Sequence, residues 1–501
     1  EHTADLPMVL PRFHYIVGSP RITRSYEGDV EVNGRLCHQL LVKEEGEEDQ
    51  LMYIDGETFL VTRIDTRESG MDITLTMSDF REAGGTVIPY MIIQAIGFIK
   101  APPAEMTLIE VRWNESIPLS TFSPPAGQVE DHRFTDGDSA EVPIRLLDGH
   151  IFLEVRLNDS PSLNFLLDSG AGRTIVAAHT ADACGLKLGH AAQAMGVGGE
   201  QTINAIEVAS LRLEGLELLN QKVFAMDLSE LTPAFGERVD GVIGYDLFTR
   251  FVVKIDYAAQ LVSVIPSSRF TYDGPGTVLP AELTMNMMHI PCTIEGHAGS
   301  LRVDTGSNGS LHLHAPFVLE FGLHQDDRRR LQVRALGVGG KSELYTSRIG
   351  ELTIGPYRFT NLLGEMASDT GNALSVSNSL ATVGAQILSK FTVYFDYPGN
   401  RLILEPNKNF DDPIPFNRAG LSLVMENGRP VIRDIVPESP AAGVDILPGD
   451  ILLAIDGTDG DNLGLFGVRA LMRGDPGTRL KFRLEREGKK IKRKLVLADY
   501  I

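Results

Sequence analysis

The stretch Phe165-Leu-Leu-Asp-Ser-Gly170 recurs downstream as Leu301-Arg-Val-Asp-Thr-Gly306. In both copies an apolar run that predicts a strand ends in an aspartate, and a small hydroxyl residue and a glycine follow. Small neighbours at a strand end allow the carboxylate to be exposed in a cleft, and glycine allows another backbone to approach closely. The pattern therefore singles out Asp168 and Asp304 as candidate functional residues.

Three further blocks recur in the same order after these aspartates: a Gly-Val-Gly-Gly tetrapeptide, two residues followed by a glycine, and a closing Asp-Tyr. They are Gly196-Val-Gly-Gly199 and Gly337-Val-Gly-Gly340, Val242-Ile-Gly244 and Thr382-Val-Gly384, and Asp256-Tyr257 and Asp396-Tyr397. Their nearly constant spacing indicates a duplicated domain with half one at residues 142–270 and half two at residues 278–406. A third Asp-Thr-Gly, at Asp369, has a turn-like setting without these blocks and predicts a surface loop.

The duplicated blocks resemble the retropepsin-like aspartic proteases and, more distantly, the pepsins. The resemblance implies a mainly β fold in which two tandem retropepsin-like β-barrel halves form one bilobal aspartic protease. Retroviral members assemble from two identical chains, whereas this sequence holds both halves in one chain. Protein or peptide substrates would be its partners, and no cofactor is expected.

The same resemblance implies roles for the residues around each aspartate. Asp168 and Asp304 would be the catalytic pair of an aspartic endopeptidase, because two carboxylates that share one site hold one proton between them. One carboxylate would activate a water molecule while the other donates a proton to the scissile carbonyl. The residues that follow would support the two catalytic loops; they are Ser169, Gly170, Thr305 and Gly306.

The Gly-Val-Gly-Gly blocks match the flap hairpins of that family, although each block alone is also typical of an ordinary hairpin turn. The predicted flap residues are Gly196, Val197, Gly198 and Gly199 in half one, and Gly337, Val338, Gly339 and Gly340 in half two. Gly244 and Gly384 are interpreted as structural.

The two halves also depart from each other. Ala171-Gly172 follows the first motif and Ser307-Asn308 the second, so the cleft need not be symmetric. His312 and His314 lie at strand spacing after the second motif and either line the cleft or, the interpretation favoured here, lie on the surface. No third ligand accompanies them, and no metal site is predicted.

Residues 412–501 resemble a PDZ domain of the bacterial protease type. Two stretches carry the resemblance: Val436-Pro-Glu-Ser-Pro-Ala-Ala-Gly443 and Leu447-Pro-Gly-Asp-Ile-Leu-Leu-Ala-Ile-Asp-Gly457. Such domains bind the C-terminal end of a peptide by adding it to a sheet edge. The carboxylate-binding loop of that family falls on Ala419, Gly420, Leu421 and Ser422. The domain either binds such a peptide or only docks against the protease.

Residues 1–122 contain alternating apolar runs, such as Gly34–Val42, Glu57–Ile64 and Met71–Met77, that predict an antiparallel sheet. A polar, proline-containing linker at 123–141 follows. The stretches Gln50–Ile64, Asp79–Pro89 and Ile109–Asn114 resemble the lipoprotein-carrier superfamily of outer-membrane lipoprotein sorting. That resemblance implies a bacterial periplasmic or extracellular location, and either lipid binding or a supporting role for this domain.

Composition excludes several other classes of function. The 501 residues carry a formal net charge of -21 at pH 7, which argues against nucleic acid and against anionic membrane surfaces. No apolar run is long enough to span a membrane. The three cysteines, Cys37, Cys184 and Cys292, have no metal-ligand spacing and predict core positions.

Three hypotheses follow from the sequence. The first is an active aspartic endopeptidase with PDZ-assisted substrate capture or regulation. The second is a catalytically silent scaffold that binds peptides through its cleft and its PDZ groove. The third is a lipid or lipoprotein carrier led by the N-terminal domain. The presence of both aspartates favours the first.

Overall fold

A computed structural model of the chain describes residues 22–44, 49–68, 71–96, 103–112, 131–196, 199–337, 340–367 and 379–501. The chain divides into two compact units, Glu1–Pro125 and Ala126–Ile501. Among the helices that fall in these described ranges, none is both long and apolar enough to cross a membrane.

The first unit is a single antiparallel sheet whose seven strands follow one another in chain order. Its strands are β1 (Ile22–Val32), β2 (Arg35–Glu44), β3 (Gln50–Asp55), β4 (Val61–Glu68), β5 (Met71–Ala83), β6 (Thr86–Ile96) and β7 (Ala104–Thr107). Alternate residues such as Ile73, Leu75 and Met77 are buried in one cluster, as expected for a sheet with one apolar face. The antiparallel sheet is therefore as predicted, whereas the lipoprotein-carrier resemblance stays a prediction.

The predicted strand Glu57–Ile64 is wrong over its first half. The carboxylate of Asp55 accepts hydrogen bonds from the backbone N–H groups of Glu57 (3.1 Å) and Thr58 (2.8 Å), which makes a local turn. Phe59 then takes a positive φ of 58°, and the strand begins only at Val61.

In the second unit, each half of the duplication closes into a six-stranded barrel. Half one contains β8 (His132–Phe134), β9 (Ala140–Pro143), β10 (Arg145–Leu147), β11 (His150–Leu157), β12 (Leu163–Leu167), β13 (Ile175–Ala177), α1 (Ala178–Ala183), β14 (Ala191–Gly196), β15 (Gly199–Leu213), β16 (Leu216–Met226), α2 (Leu231–Phe235), β17 (Gly241–Ile243), α3 (Tyr245–Phe248), β18 (Phe251–Asp256) and β19 (Leu261–Pro266). The ring runs β11-β12-β17-β13-β16-β15 and is closed by pairing of β15 with β11.

Half two repeats this arrangement. It contains β20 (Thr277–Pro280), β21 (Glu282–Thr284), β22 (Met287–Ile294), β23 (His297–Val303), β24 (Leu311–Leu313), α4 (Ala315–Glu320), β25 (Arg330–Gly337), β26 (Gly340–Ile354), β27 (Tyr357–Ala367), β28 (Ala381–Val383), α5 (Ala385–Leu388), β29 (Phe391–Asp396) and β30 (Arg401–Pro406). The ring β22-β23-β28-β24-β27-β26 is closed by pairing of β26 with β22. The predicted pair of tandem β-barrel halves is confirmed.

A third sheet joins the halves. Its order is β20-β30-β29-β18-β19-β9, and β18 of half one pairs with β29 of half two. Apolar side chains from both halves meet beside this sheet, for example Phe248 and Phe395, whose ring centroids are 5.3 Å apart. Because the two barrels share one sheet and one core, they form one body.

The predicted linker at 123–141 is shorter in the structure. His132–Phe134 pairs with β16, and Ala140–Pro143 pairs with β19, so these residues belong to half one. Backbone hydrogen bonds to neighbouring strands hold these residues in the sheets. The polar, proline-containing composition that predicted a linker therefore does not extend to them.

The C-terminal domain is a five-stranded sheet with a short extra strand and one helix. Its elements are β31 (Leu421–Glu426), β32 (Arg429–Ile435), β33 (Ile451–Ile455), β34 (Thr458–Asp459), α6 (Gly460–Met472), β35 (Arg479–Arg486) and β36 (Lys489–Val496). Leu465, Val468 and Met472 of α6 pack into the core of this domain.

Candidate active site

Asp168 and Asp304 each stand immediately after an inner barrel strand. The N–H of Asp168 donates to Ile243 O at 2.9 Å, and the N–H of Asp304 donates to Val383 O at 3.1 Å. Both acceptors end a short parallel neighbour, β17 or β28. The same local topology therefore holds both aspartates at the end of a strand.

The two carboxyl groups face each other across the boundary between the halves. A Cβ atom added to Gly170 would lie 2.5–2.6 Å from the carboxyl atoms of Asp304, and one added to Gly306 would contact the carboxyl group of Asp168 even more closely. No side chain fits at either glycine. Each glycine also donates its N–H to the aspartate of its own loop, at 2.7 Å for Gly170 and 2.8 Å for Gly306.

Four hydrogen bonds tie the two loops together beneath the carboxyl groups. Ser169 N–H donates to Thr305 Oγ1 (2.9 Å), and Thr305 N–H donates to Ser169 Oγ (3.1 Å). Each hydroxyl in turn donates to a carbonyl of the other half, Ser169 to Val303 O and Thr305 to Leu167 O, both at 2.9 Å. Both side chains are fully buried, so the bonds are shielded from water.

The pKa of Asp168 is raised well above its usual range. Burial is the largest cause, and the negative charge of Asp304 and a hydrogen bond to it add to the effect. Asp168 therefore keeps its proton at a pH where an exposed aspartic acid would have lost it.

Gly244 and Gly384 pack behind the two loops. A Cβ atom on Gly244 would lie 2.5 Å from Arg173 O and 2.6 Å from Ala171 O, and one on Gly384 would lie 2.6 Å from Gly309 O. Both glycines thus let the backbone pass directly behind the aspartate loops.

The side chains beside the two loops differ sharply between the halves. In half one, four apolar residues lie next to one another across the strands, and we call them row one: Phe152, Leu166, Val242 and Ile175. In half two, the equivalent residues in the same register are polar, and we call them row two: His289, Arg302, Thr382 and His312. Neither row can be recognised in the sequence, because its members become adjacent only once the strands pair.

Arg302 of row two is a buried cation that lies two residues before Asp304. It is 5% exposed, and its Nε donates to Thr382 Oγ1 at 2.9 Å. Among the described residues it forms no ion pair with a carboxylate, and Nε2 of the neighbouring His289 has no hydrogen-bond partner. Burial lowers the pKa of His289, and together with the smaller effect of the Arg302 charge it brings this pKa to about 4.

His314 is buried and His312 is partly buried, so the prediction of two surface histidines is wrong. His314 is fully buried, and its Nδ1 and Nε2 contact Ser379 O (2.9 Å) and Thr382 Oγ1 (2.8 Å). His312 Nε2 contacts Ser307 Oγ at 2.8 Å. The alternation Leu-His-Leu-His places both histidines on one strand face, which is the signal that could have indicated a shared environment.

His312 also forms an ion pair between its Nδ1 and Glu365 Oε2, at 2.9 Å. Burial is the largest single influence on the pKa of His312 and lowers it, but the charge of Glu365, the hydrogen bond to Glu365 and the charge of Asp304 together outweigh burial, so the net pKa is raised. Ser307 N–H donates to Asp304 Oδ1 at 3.1 Å. A chain of contacts thus runs from Asp304 through Ser307 and His312 to Glu365, and half one has Ala171 in place of Ser307.

The predicted flaps are long hairpins. Gly196 pairs with Gly199 at the end of β14 and β15, and Gly337 pairs with Gly340 at the end of β25 and β26. The tip residues Val197, Gly198, Val338 and Gly339 lie outside the described residues, as does the third motif at Asp369. In the part of the chain that is described, no group of three His, Cys, Asp or Glu side chains is arranged to hold a metal ion.

The predicted carboxylate-binding loop of the C-terminal domain has internal partners. The N–H groups of Ala419 (3.2 Å) and Gly420 (3.1 Å) donate to Oδ1 of Asn417. Leu421 is buried, whereas Ser422 is exposed. A ligand carboxylate would therefore have to replace the Asn417 oxygen at two of the loop's donors.

Comparison with known families agrees with the duplicated geometry. The family model described as aspartyl protease matches twice, at residues 153–247 and 290–374, and the two matches contain Asp168 and Asp304. The chain carries a duplicated aspartyl protease domain. A PDZ domain model matches residues 418–497, so the aspartyl protease halves are followed by a PDZ domain.

Solved structures also match about half of this chain. They include basic 7S globulin from soybean (10% identity, TM-score 0.32, 54% of this chain and 94% of that chain), conglutin gamma from lupine seeds (10%, 0.33, 54% and 95%) and an aspartic proteinase from Irpex lacteus (12%, 0.36, 55% and 99%). No curated protein matches the chain.

Proposed function

We propose that this chain is an aspartic endopeptidase whose catalytic pair is Asp168 and Asp304. The observation that carries the proposal is the contact of the two carboxyl groups across the halves, each packed against the glycine of the other loop. The buried hydrogen bonds of Ser169 and Thr305 hold this contact in place. Preorganised groups of this kind lower the barrier because they need no rearrangement during reaction.

The proposed reaction uses one shared proton. The ionised carboxylate takes a proton from a water molecule, whose oxygen attacks the scissile carbonyl carbon while the protonated carboxyl group donates to the carbonyl oxygen. The tetrahedral diol then collapses as the amine leaves with a proton, and the pair returns to one proton. The raised pKa of Asp168 supports this arrangement, because it keeps that proton on the pair at mildly acid pH.

The hairpins ending at Gly196–Gly199 and Gly337–Gly340 would close over a bound peptide and exclude water. The PDZ domain would recognise a peptide C-terminus or regulate access to the cleft. Protein or peptide substrates are the partners that this function implies.

The test is cleavage of a denatured protein substrate at a series of pH values between about 3 and 8, because carboxyl groups in close contact keep one proton into mildly acid pH. Asp168→Asn and Asp304→Asn should each lower the rate by at least about 100- to 10,000-fold, the usual contribution of acid–base groups. Asp369→Asn is the matched control and should cleave like the parent chain. Cleavage at the parent rate by either Asp168→Asn or Asp304→Asn would contradict the proposal.

The competing function is a silent peptide-binding scaffold. It predicts saturable binding of peptides to the parent chain without any cleavage in that pH range. Single-turnover assays with enzyme in excess distinguish the two, because a slow enzyme still cuts its bound peptide once.

A further inference from the structure

The groove of the PDZ domain between β31 and α6 is covered by a segment of half one, Leu231–Gly236, which comprises α2 and the glycine that ends it. A Cβ atom added to Gly236 would lie 3.1 Å from Met425 Cγ on β31 and 3.2 Å from Leu465 Cδ1 on α6. The backbone of Gly236 therefore lies between the two walls of the groove.

Arg469 of α6 joins all three elements. Its Nη2 donates to Ala234 O of α2 at 2.6 Å and to Leu423 O of β31 at 3.4 Å. The carbonyl of a groove strand is a group that an added peptide strand would use. Here that position is reached by a side chain that also holds the covering segment.

A buried carboxylate fixes the same contact on its other side. Asp148, at the tip of the β10–β11 hairpin, has a side chain that is 5% exposed and is paired with Arg469 Nη1 at 3.1 Å and with Arg473. Removing one partner of a buried pair leaves a charge without compensation, which is strongly unfavourable. Without Asp148, docking would bury Arg469 and Arg473 without this partner, so the docked arrangement depends on Asp148.

Apolar packing accompanies these ion pairs. Phe466 of α6 packs on the cluster of half one that contains Leu231 and Phe235. The hairpin that carries Asp148 also reaches half two, because a Cβ atom on Gly149 would lie 3.1 Å from Ala385 Cβ and 3.6 Å from Asn308 Cβ. The docked PDZ domain thus rests on a hairpin that touches the loop after Asp304.

We propose that Leu231–Gly236 is an intramolecular occupant of the PDZ groove, and that a peptide with a free carboxyl terminus and an apolar last residue competes with it. The side chains that Gly236 meets in the groove, Met425 and Leu465, are apolar and fit such a residue. A peptide that enters must displace α2 and the Asn417 oxygen. This inference does not depend on cleavage by the aspartate pair.

The competition predicts weak apparent binding by the parent chain. When only a fraction of the molecules has an open groove, the apparent dissociation constant rises by the inverse of that fraction. A substitution that undocks the PDZ domain should therefore strengthen peptide binding without touching the groove itself.

The test variant is Asp148→Arg in the full chain, which places a third cation beside Arg469 and Arg473. The probes are fluorescein-labelled octapeptides that end in Val, Leu or Phe with a free carboxylate, and their amidated counterparts. Fluorescence anisotropy should show at least tenfold tighter binding of the free-carboxylate peptides to D148R than to the parent chain. The double variant Asp148→Arg with Arg473→Asp restores opposite charges and should return the affinity towards the parent value.

The matched control is Asp459→Arg, which breaks an exposed ion pair with Arg483 inside the same domain. It should leave peptide binding unchanged. Hydrogen–deuterium exchange of residues 231–236 gives a second measurement: protection should fall in D148R, and in the parent chain when peptide is added. If D148R does not fold, Arg473→Glu brings a like charge to Asp148 from the PDZ side and replaces it in both assays.

Equal peptide affinity in the parent chain and the undocked variant would overturn the proposal, because the groove would then be open in both. Binding by neither form would overturn the competition, and unchanged exchange at residues 231–236 in both variants would overturn the role of Asp148. Loss of cleavage in the Asp168 or Asp304 variants, with normal exchange at this segment, concerns the proposed protease function alone.

Discussion

Half one and half two of the duplication share a backbone but not a chemistry. The apolar row of half one, Phe152, Leu166, Val242 and Ile175, is matched position for position by His289, Arg302, Thr382 and His312 in half two. Phe224 and Glu365 extend the comparison, since they pair with Ile175 and His312 in turn. The strand register is the same in both halves. The difference lies in the side chains, which are apolar in half one and polar in half two.

This difference shows that the position of each aspartate and the polarity of its surroundings are determined by different residues. Position comes from backbone bonds and from the close packing of glycine on carboxyl, which both halves keep. Environment comes from the rows, and row two places a buried cation and two histidines beside its loop where row one places apolar side chains. Buried polar groups cost stability unless they are paired, so row two is expected to serve the site rather than the fold.

The largest effect is expected from the feature that the halves share. Gly170→Ala and Gly306→Ala each place a Cβ atom in the space of the opposite carboxyl group. Both should lower kcat/KM by at least about 100-fold, since a shift of about 1 Å in a reacting group has that effect. Gly443→Ala is the control, because a Cβ atom there meets nothing within 4 Å. If one of the two glycine variants keeps full activity, the halves do not constrain the pair equally.

The next effect is an exchange between the rows, measured as the free energy of unfolding in denaturant. Leu166→Arg buries a cation in row one and should destabilise the protein by about 3–5 kcal/mol, the cost of an unpaired buried charge. Arg302→Leu gives row two the leucine that row one has at the equivalent position, Leu166. It should stabilise the protein by up to about 4 kcal/mol. Its kcat/KM should fall.

A loss of stability in Arg302→Leu would contradict this interpretation. It would mean that attraction between Arg302 and the aspartate pair outweighs the cost of burying the cation. Wild-type cleavage in the same variant would show that the cation is dispensable for the site.

A smaller effect, which depends on pH, is expected from the ion pair that half one lacks. Folding raises the pKa of His312, so its stabilisation is complete below its ordinary value of 6.5 and is lost as the pH rises through the folded value. Folding lowers the pKa of Glu365, so its stabilisation is complete above its ordinary value of 4.5 and is lost as the pH falls through the folded value. The pair therefore contributes most between pH 4.5 and 6.5.

The double variant His312→Ile with Glu365→Phe gives half two the apolar pair of half one. Its unfolding free energy should lose this pH dependence, by no more than about 1 kcal/mol, since the Glu365 side chain is 34% exposed and water screens the pair. Urea unfolding at several pH values measures it. A parallel pH profile in the parent and the variant would show that the pair does not contribute.

The smallest effect concerns the two tyrosines that close the halves. The hydroxyl of Tyr397 donates to Ser169 O at 3.4 Å, whereas the buried hydroxyl of Tyr257 has no hydrogen-bond partner among the described residues. Tyr397→Phe should cost at most about 1 kcal/mol, the net value of one hydrogen bond, and Tyr257→Phe should be neutral or stabilising. Thermal unfolding of the two variants side by side measures the difference in stability. An equal loss of stability in both variants would contradict the prediction that only the Tyr397 hydroxyl contributes.

The sequence predicted the parts of this protein that are local in the chain or repeated along it. Two aspartate motifs, each followed by its own Gly-Val-Gly-Gly block, predicted both the barrel halves and the two aspartates that the structure brings together. The blocks did not predict that residues 132–141 belong to half one, because their partners in β16 and β19 are remote in sequence. The sequence also predicted His312 and His314 at the surface, because no partner for either histidine is recognisable in the sequence.

By itself, the sequence determined which residues carry carboxylates, where backbones approach closely, and that the halves are duplicates, because strand periodicity and glycine positions act over a few residues. Only the tertiary structure decided that row two is a buried polar set and that half one covers the PDZ groove. Both depend on side chains that are far apart along the chain, and their burial and pairing exist only after the strands have registered and the domains have docked.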